Sequence, residues 1–325
     1  MSKDMNIYIA DFGSNLIRKI GHDSYVSTYA GTGNAGYRDG DNEQAMFKGP
    51  DNIDIDAEGN IYVADADNHR IRKITTDGIA TTIAGSGKSG FADGVGTKAQ
   101  FAYPTGIAVD AFKNLYIADR GSNSIRKIDR NGMVTTIAGN GVPAYSDGIG
   151  KASHFNNPIS VALDNASLNL FIADSGNNVI RKMNLTTTRV TTFAGSSDRI
   201  PGYRDGKGPN AIFSWPTGLA VDIFGNLYVA DSNNNRIRKV NPEGVVSTIA
   251  GATVAGFKDG LGHYSQFKSP TGIYVDKLGN IYVADSGNNR IRKISRSLIT
   301  TENETHISQR DTKNNENVIA SPRPF

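Results

Sequence analysis

One fifteen-residue segment occurs six times in this chain, and its spacing limits the folds that the chain can adopt. The copy at residues 226–240 reads NLYVADSNNNRIRKV. The aspartate that ends the first half of each copy recurs every 54 to 57 residues, at Asp11, Asp65, Asp119, Asp174, Asp231 and Asp285. Self-similarity at this period indicates a repeat array, which replaces the two domains that 325 residues would otherwise suggest.

Each period divides into four short segments with strand character. In the third period they are residues 104–110, 114–119, 124–128 and 133–139, rich in Ile, Val, Thr and Tyr and bounded by Gly, Asn and Asp. Within 114–119, Leu115 and Ile117 share one face while Tyr116 and Ala118 share the other, so both faces of the sheet require cover. Both faces are covered when four-stranded antiparallel sheets pack face to face around an axis. The sequence therefore predicts an all-β, six-bladed β-propeller, whereas a solenoid would not need four strands per repeat.

The repeat also resembles a known family. The pattern N-[IL]-[YF]-[VI]-A-D-x-x-N-x-x-I-R-K, preceded by P-x-G-[IL]-A-V-D, is similar to the NHL repeat over residues 6–294. The resemblance implies a β-propeller. Some NHL proteins bind RNA through a basic face, and some propellers of related appearance are lyases or lactonases with His, Arg and Ca²⁺ or Zn²⁺ in the channel. Residues matching those channel sites are not found in this sequence.

We assign residues 1–302 to the propeller and residues 303–325 to a polar tail. Counting back from Asp11 leaves the first blade without its inner strand. We expect residues 298–302 to form the outer strand of the sixth blade and residues 317–321 to pair beside residues 6–11 as the missing inner strand, since this would remove the last unpaired edge. A disordered tail is the alternative.

The strands of a blade are labelled a to d from the axis outward. The b to c turns and the long d to a connectors are expected on one face, the top, while the bottom has only short turns. Each connector contains [YF]-x-D-G, preceded by Gly in all but the third, and aromatic residues are frequent at binding hot spots. The predicted ligand-binding residues are these recurring aromatics and four less repetitive side chains: Tyr37, Phe91, Tyr145, Tyr203 and Phe257, with Arg199, Trp215, His154 and Tyr264. The alternative is that the recurring aromatics hold each connector onto its blade.

The six aspartates of the b strands are predicted to build turns, because Asp and Asn side chains bond to nearby backbone N–H groups. A feature repeated six times is a poor candidate for a single catalytic centre. The repeated arginines of strand c, such as Arg126, are expected to pair with these aspartates. The a-strand aspartates, such as Asp110, would be alternative ligands for a hard cation near the axis.

Composition and charge exclude several classes of function. The formal charge of +3 is too small and too dispersed to indicate nucleic acid, and the absence of cysteine excludes disulfides, thiolate metal sites and thiol nucleophiles. No signal peptide or membrane-spanning segment is readable, and the compartment is not indicated.

We predict a non-catalytic, monomeric binding propeller without metal or cofactor, recognising a protein on its top face, with a small molecule or RNA as alternatives. The competing hypothesis is a lyase or hydrolase with a channel metal, which a cluster of non-repeated His, Asp and Glu at the axis would favour.

Overall fold

The computed structural model describes residues 6–295. These residues form an all-β, six-bladed propeller of antiparallel sheets, as the repeat predicts. Blade 1 comprises β1 (Ile7–Asp11), β2 (Leu16–Ile20) and β3 (Val26–Ala30). Blade 2 comprises β4 (Gly40–Asp41), β5 (Pro50–Ile55), β6 (Ile61–Asp65), β7 (Arg70–Ile74) and β8 (Ile79–Ala84). Blade 3 comprises β9 (Gly94–Val95), β10 (Pro104–Val109), β11 (Leu115–Asp119), β12 (Ser124–Ile128) and β13 (Met133–Ala138).

The remaining blades repeat this order. Blade 4 comprises β14 (Gly148–Ile149), β15 (Pro158–Leu163), β16 (Asn169–Asp174), β17 (Val179–Asn184) and β18 (Arg189–Ala194). Blade 5 comprises β19 (Gly206–Lys207), β20 (Pro216–Val221), β21 (Leu227–Asp231), β22 (Arg236–Val240) and β23 (Val245–Ala250). Blade 6 comprises β24 (Pro270–Val275), β25 (Ile281–Asp285) and β26 (Arg290–Ile294).

Blades 2 to 5 contain the four predicted strands and a fifth strand of two residues. In blade 2 the order is β4-β8-β7-β6-β5, so a two-residue strand from the connector covers the outer edge of strand d. Asp39, just before β4, explains this addition: its carboxylate accepts hydrogen bonds from the backbone N–H and hydroxyl of Thr82 in β8. The Asp-Gly dipeptide of each connector thus attaches the connector to the next blade.

Short 3₁₀ turns complete the connections. Five lie between strands b and c, at Ala66–Asn68, Arg120–Ser122, Ser175–Asn177, Ser232–Asn234 and Ser286–Asn288. Four lie in the connectors, at Gly96–Lys98, Gly150–Ala152, Gly208–Asn210 and Gly262–Tyr264. The N–H of Ala66 donates to Gly49 O, which joins the b to c turn to the end of the connector. Both therefore lie on the same face, which we call the top face.

The hydrophobic core lies between neighbouring blades. Between blades 4 and 5, Phe171 and Ile180 pack in one cluster with Leu219 of the next inner strand. Each connector adds a phenylalanine that is at most 2 % exposed, at Phe47, Phe101, Phe155, Phe213 and Phe267. Three strands are described in each of blades 1 and 6. The strands predicted at residues 298–302 and 317–321, and the domain boundary at residue 302, lie outside the described residues.

Candidate functional surface

Each of blades 2 to 5 contains a buried arginine on strand c that bonds to strand b and to the connector. The Arg72 guanidinium is fully buried and bonds to Asp65 Oδ2 at 2.9 Å and Asp39 Oδ1 at 2.7 Å. It also donates to the carbonyl oxygens of Met46 and Arg38 in the connector. A register shift between Ile71 and Arg72 places this side chain under the connector. The arginine thus joins strand b, strand c and the connector in one network.

Two aromatic rings enclose this guanidinium. The carbon at its centre lies 5.0 Å from the ring centre of Phe47 and 5.1 Å from that of Tyr37. The arrangement recurs in the next four blades, where Phe91, Tyr145, Tyr203 and Phe257 lie over Arg126, Arg181, Arg238 and Arg292. The five recurring aromatics of the predicted binding surface therefore each have one face against a buried cation. Four of these aromatic residues are 43 to 48 % exposed: Tyr37, Phe91, Tyr203 and Phe257.

The b-strand aspartates bond to the connector and to the buried arginine. Asp119 Oδ1 accepts the N–H of Ala102, and its Oδ2 accepts from Arg126 and Ser122. Burial raises the pKa of Asp119 to about 6, while Ser122 and Arg126 act in the opposite direction. None of the five 3₁₀ turns after these aspartates is capped by the aspartate side chain. The carboxylates therefore join segments that are distant in sequence.

The last residue of the b to c turn links neighbouring blades in blades 1 to 5. Asn123 has a left-handed backbone with φ of 46°, and its Oδ1 accepts the N–H of Asn157 at the start of the next inner strand. His69 replaces asparagine in blade 2 and accepts the N–H of Tyr103 through Nδ1. Burial lowers the pKa of His69, which favours the neutral ring required for this acceptor role. This histidine therefore supplies an inter-blade contact.

The a-strand aspartates, considered above as cation ligands, bond within the bottom turns. Asp110 Oδ1 accepts the N–H groups of Phe112 and Asn114, and its Oδ2 accepts from Asn114 Nδ2 and Tyr116 Oη. Asp56, Asp222 and Asp276 make the same set of contacts. Residues 6–295 contain no grouping of three or more His, Cys, Asp or Glu side chains arranged to hold a metal ion.

The four less repetitive candidates do not form one cluster. Arg199 lies 5.0 Å from the Tyr145 ring centre, and its carbonyl accepts from Asn178 Nδ2. Asn178 also accepts the N–H of the half-buried Trp215. These residues form a continuous region where blades 4 and 5 meet.

His154 and Tyr264 lie in other connectors. His154 contacts Asn140 and Ser146 through its two ring nitrogens. Tyr264 is 64 % exposed, and its ring centre lies 4.1 Å from that of His263.

The tips of the connectors carry exposed apolar side chains that the sequence analysis did not select. Val142, Ile200 and Val254 are 56, 65 and 67 % exposed and lie on three successive connectors. The residues just before the first two are held to b to c turns, since Gly141 O and Arg199 O accept from Asn123 and Asn178. We call Val142, Ile200 and Val254 the top-face arc. The corresponding residues of the first two connectors are the polar Asn34 and Lys88, so the apolar tips among residues 6–295 belong to three successive connectors.

The central channel contains a second group of residues that the sequence analysis missed. A cavity of about 390 Å³ is lined in part by Asp51, Asn52, Asp54 and Tyr274. Asp54 accepts the N–H of Val109 from blade 3, and burial raises its pKa to about 6. Burial also raises the pKa of Tyr274, to about 12. The departure of PDNIDID at residues 50–56 from the repeated P-x-G-I-A-V-D was the signal that could have identified the acidic residues.

Comparison with known proteins identifies the repeat. The NHL repeat model matches residues 47–74, 213–240 and 267–294. Protein SUPPRESSOR OF QUENCHING 1, chloroplastic, of Arabidopsis thaliana is 31 % identical over 278 residues, covering 81 % of this chain and 26 % of that protein. NHL repeat-containing protein 2 of Homo sapiens is 30 % identical over 329 residues, covering 88 % of this chain and 44 % of that protein. The chain thus spans less than half the length of these relatives.

Solved structures share the fold at low sequence identity. An auxiliary nutrient binding protein from Bacteroides thetaiotaomicron superimposes with a TM-score of 0.66 at 18 % identity, covering 89 % of this chain and 66 % of that one. The nidogen/laminin complex gives 0.61 at 15 %, with coverage of 89 and 88 %. Virginiamycin B lyase from Staphylococcus aureus gives a TM-score of 0.55 at 13 % identity, covering 91 % of this chain and 79 % of that one.

Among residues 6–295 there is no helix with the length and apolar character needed to span a bilayer. The chain contains NHL repeats and folds as a six-bladed β-propeller.

Proposed function

We propose that this propeller is a non-catalytic binding module that recognises a partner protein on its top face. The observation that carries the proposal is the top-face arc. Val142, Ile200 and Val254 are each more than half exposed and occupy equivalent positions in three successive connectors. Several exposed apolar side chains on one part of a surface are typical of protein interaction sites.

The surroundings of the arc support a protein partner. Trp215, Arg199 and Tyr145 form the adjoining region between blades 4 and 5, and Trp, Tyr and Arg are the residue types that contribute most to protein interfaces. Asn123 and Asn178 fix two of the connector tips, so little conformational entropy would be lost on binding. The nidogen/laminin complex supports the idea that this fold can serve protein assembly.

The test compares the top face with the bottom face. The double variant Ile200→Asp with Val254→Asp should lose a partner that wild-type protein captures from an extract of the source cells, because two charges would be buried at the interface. The control is Phe112→Asp with Leu278→Asp, on bottom turns, whose side chains are 77 and 75 % exposed. Retention of the partner by the top-face variant and its loss by the bottom-face variant would contradict the proposal.

A second candidate function is a lyase or hydrolase activity in the channel. The non-repeated carboxylates of Asp51 and Asp54 in the cavity favour it, and virginiamycin B lyase has the same fold. Elemental analysis of purified protein tests this candidate. A stoichiometric metal that is lost in Asp51→Asn with Asp54→Asn would support the enzyme and count against a purely binding role.

A further inference from the structure

Among residues 6–295, blade 1 has no strand at the position where the other blades carry their inner strand. The innermost described strand of blade 1 is β1, and the channel cavity extends beside it. Ala284 and Ile291 of blade 6 line this part of the cavity. The corresponding residues of blade 4, Ala173 and Ile180, pack with Leu219 of the next inner strand. The cavity beside β1 is therefore the place that an aliphatic side chain of an inner strand would fill.

A buried carboxylate oxygen faces the same position. Asp11 is 3 % exposed, and within residues 6–295 its Oδ1 has no hydrogen-bond partner. In each of the other five blades the equivalent oxygen accepts the N–H of the second residue before the inner strand, from Lys48, Ala102, Asn156, Ser214 or Lys268. Because a buried unpaired carboxylate oxygen is costly, Asp11 favours a chain that supplies this N–H group.

Ser286 of blade 6 marks where that chain would begin as a strand. In blades 4 and 5 the corresponding hydroxyls of Ser175 and Ser232 donate to the carbonyl oxygens of Pro216 and Pro270, the first residues of the next inner strands. Ser286 lines the cavity and has the same place in its blade. The Ser286 hydroxyl contacts Thr271 Oγ1 and Ala284 O, and it has the position from which its counterparts donate to the next inner strand.

We propose that blade 1 is a strand-acceptor site and that residues 317–321 of this same chain occupy it. The sequence NNENVIAS at residues 314–321 can be aligned with NPISVALD at residues 157–164, which form the start of blade 4. This alignment places Val318 at the position of Val161 and Asn317 at that of Ser160. It also places Asn314 at the position of Asn157, whose φ is 50°. Asparagine tolerates this left-handed conformation better than most residues.

The strand register and the length of the connecting segment are both compatible with residues 317–321 at this position. Ser160 pairs with Ala173 in blade 4, so Asn317 would pair with Ala10 in blade 1. Val318 would then lie opposite Ile9 and fill the space beside Ala284 and Ile291. The 18 residues between Ser295 and Asn314 can extend to about 60 Å at ~3.3 Å per residue, which is ample for a site next to blade 6.

The test uses the absence of cysteine from the chain. In the full-length protein, Ala10→Cys with Asn317→Cys should form an intramolecular disulfide about tenfold faster than the control pair Ala10→Cys with Ser308→Cys, since directly paired residues of neighbouring strands have suitable Cβ separation. Concentrated urea should remove the difference. Equal rates under native conditions, or a disulfide that links two chains, would overturn the assignment to this chain's own segment.

A second measurement does not depend on disulfide formation. Val318→Asp should lower Tm by about 5 °C relative to Ile307→Asp, because only Val318 would be buried. Equal melting temperatures for the two variants would also overturn the proposal.

Discussion

The carboxylate of Asp65 and the guanidinium of Arg72 lie 2.9 Å apart with both side chains fully buried. The same pair recurs in the next four blades, with Arg292 slightly exposed. Each pair also bonds to the connector, so it determines how the connector crosses its blade. The network therefore links the repeat motif to the geometry of the top face.

Removing one member of this pair should be severely destabilising. We expect Arg126→Met to lower the free energy of unfolding by about 3 to 5 kcal/mol, because Asp119 would remain as a buried charge without its partner. The double variant with Asp119→Leu should recover part of the loss. Urea unfolding of the single and double variants measures this, and a double variant as unstable as the sum of both singles would contradict it.

The turn asparagines should tolerate glycine better than valine. Asn123→Val should cost about 2 to 3 kcal/mol, because a β-branched residue is strained at φ of 46° and the bond to the N–H of Asn157 is lost. Asn123→Gly keeps the backbone conformation and should cost only about 1 kcal/mol. Equal unfolding free energies for these two variants would show that the left-handed conformation is not the source of the effect.

Asp54 should make stability depend on pH in the mildly acidic range. Burial raises its folded-state pKa from 3.8 to about 6, so the folded state binds the proton more tightly than the unfolded chain. Its favourable contribution is complete below about pH 4 and is lost as pH rises through 6. Asp54→Asn should flatten the Tm profile between pH 4 and 7. The exposed Asp198→Asn serves as the control, and identical profiles for the two variants would refute the assignment.

The sixth blade provides a test of the outer strand predicted at residues 298–302. A cavity of about 450 Å³ between blades 5 and 6 is lined by Ile249, Ile281 and Ile294. The corresponding place between blades 2 and 3 is filled by Val134 of strand d, which packs with Ile83, Leu115 and Ile128. Alignment of LITT at residues 298–301 with MVTT at residues 133–136, with one residue fewer in the c to d turn, assigns Ile299 to this place.

Ile299→Asp should therefore lower the free energy of unfolding by about 2 to 4 kcal/mol, since a charge would replace a buried aliphatic side chain. Thr300→Asp is the control within the same segment, because adjacent strand residues lie on opposite faces and Thr135, its counterpart, is exposed. Ile299→Asp with wild-type stability would show that the strand does not form there.

Local sequence patterns were sufficient to predict the blades. Alternating apolar residues such as Leu115 and Tyr116 specify a strand covered on both faces, and the recurrence of that strand every 54 to 57 residues specifies the six-fold array. The fifth strand could not be predicted in this way, because two residues are too few to show a period. Its place depends on the contact between Asp39 and Thr82, which are 43 residues apart in the sequence.

The sequence by itself determined the repeat, the strand order within each period and the positions of the turns, because these follow from neighbouring residues. Only the tertiary structure decided what the repeated side chains contact. Tyr37 and Phe47 enclose Arg72, while Val142, Ile200 and Val254 come to lie on the same face only when the blades form a ring. Such arrangements involve residues that are far apart in the sequence, and their distances depend on the packing of whole sheets, which no local pattern of the sequence encodes.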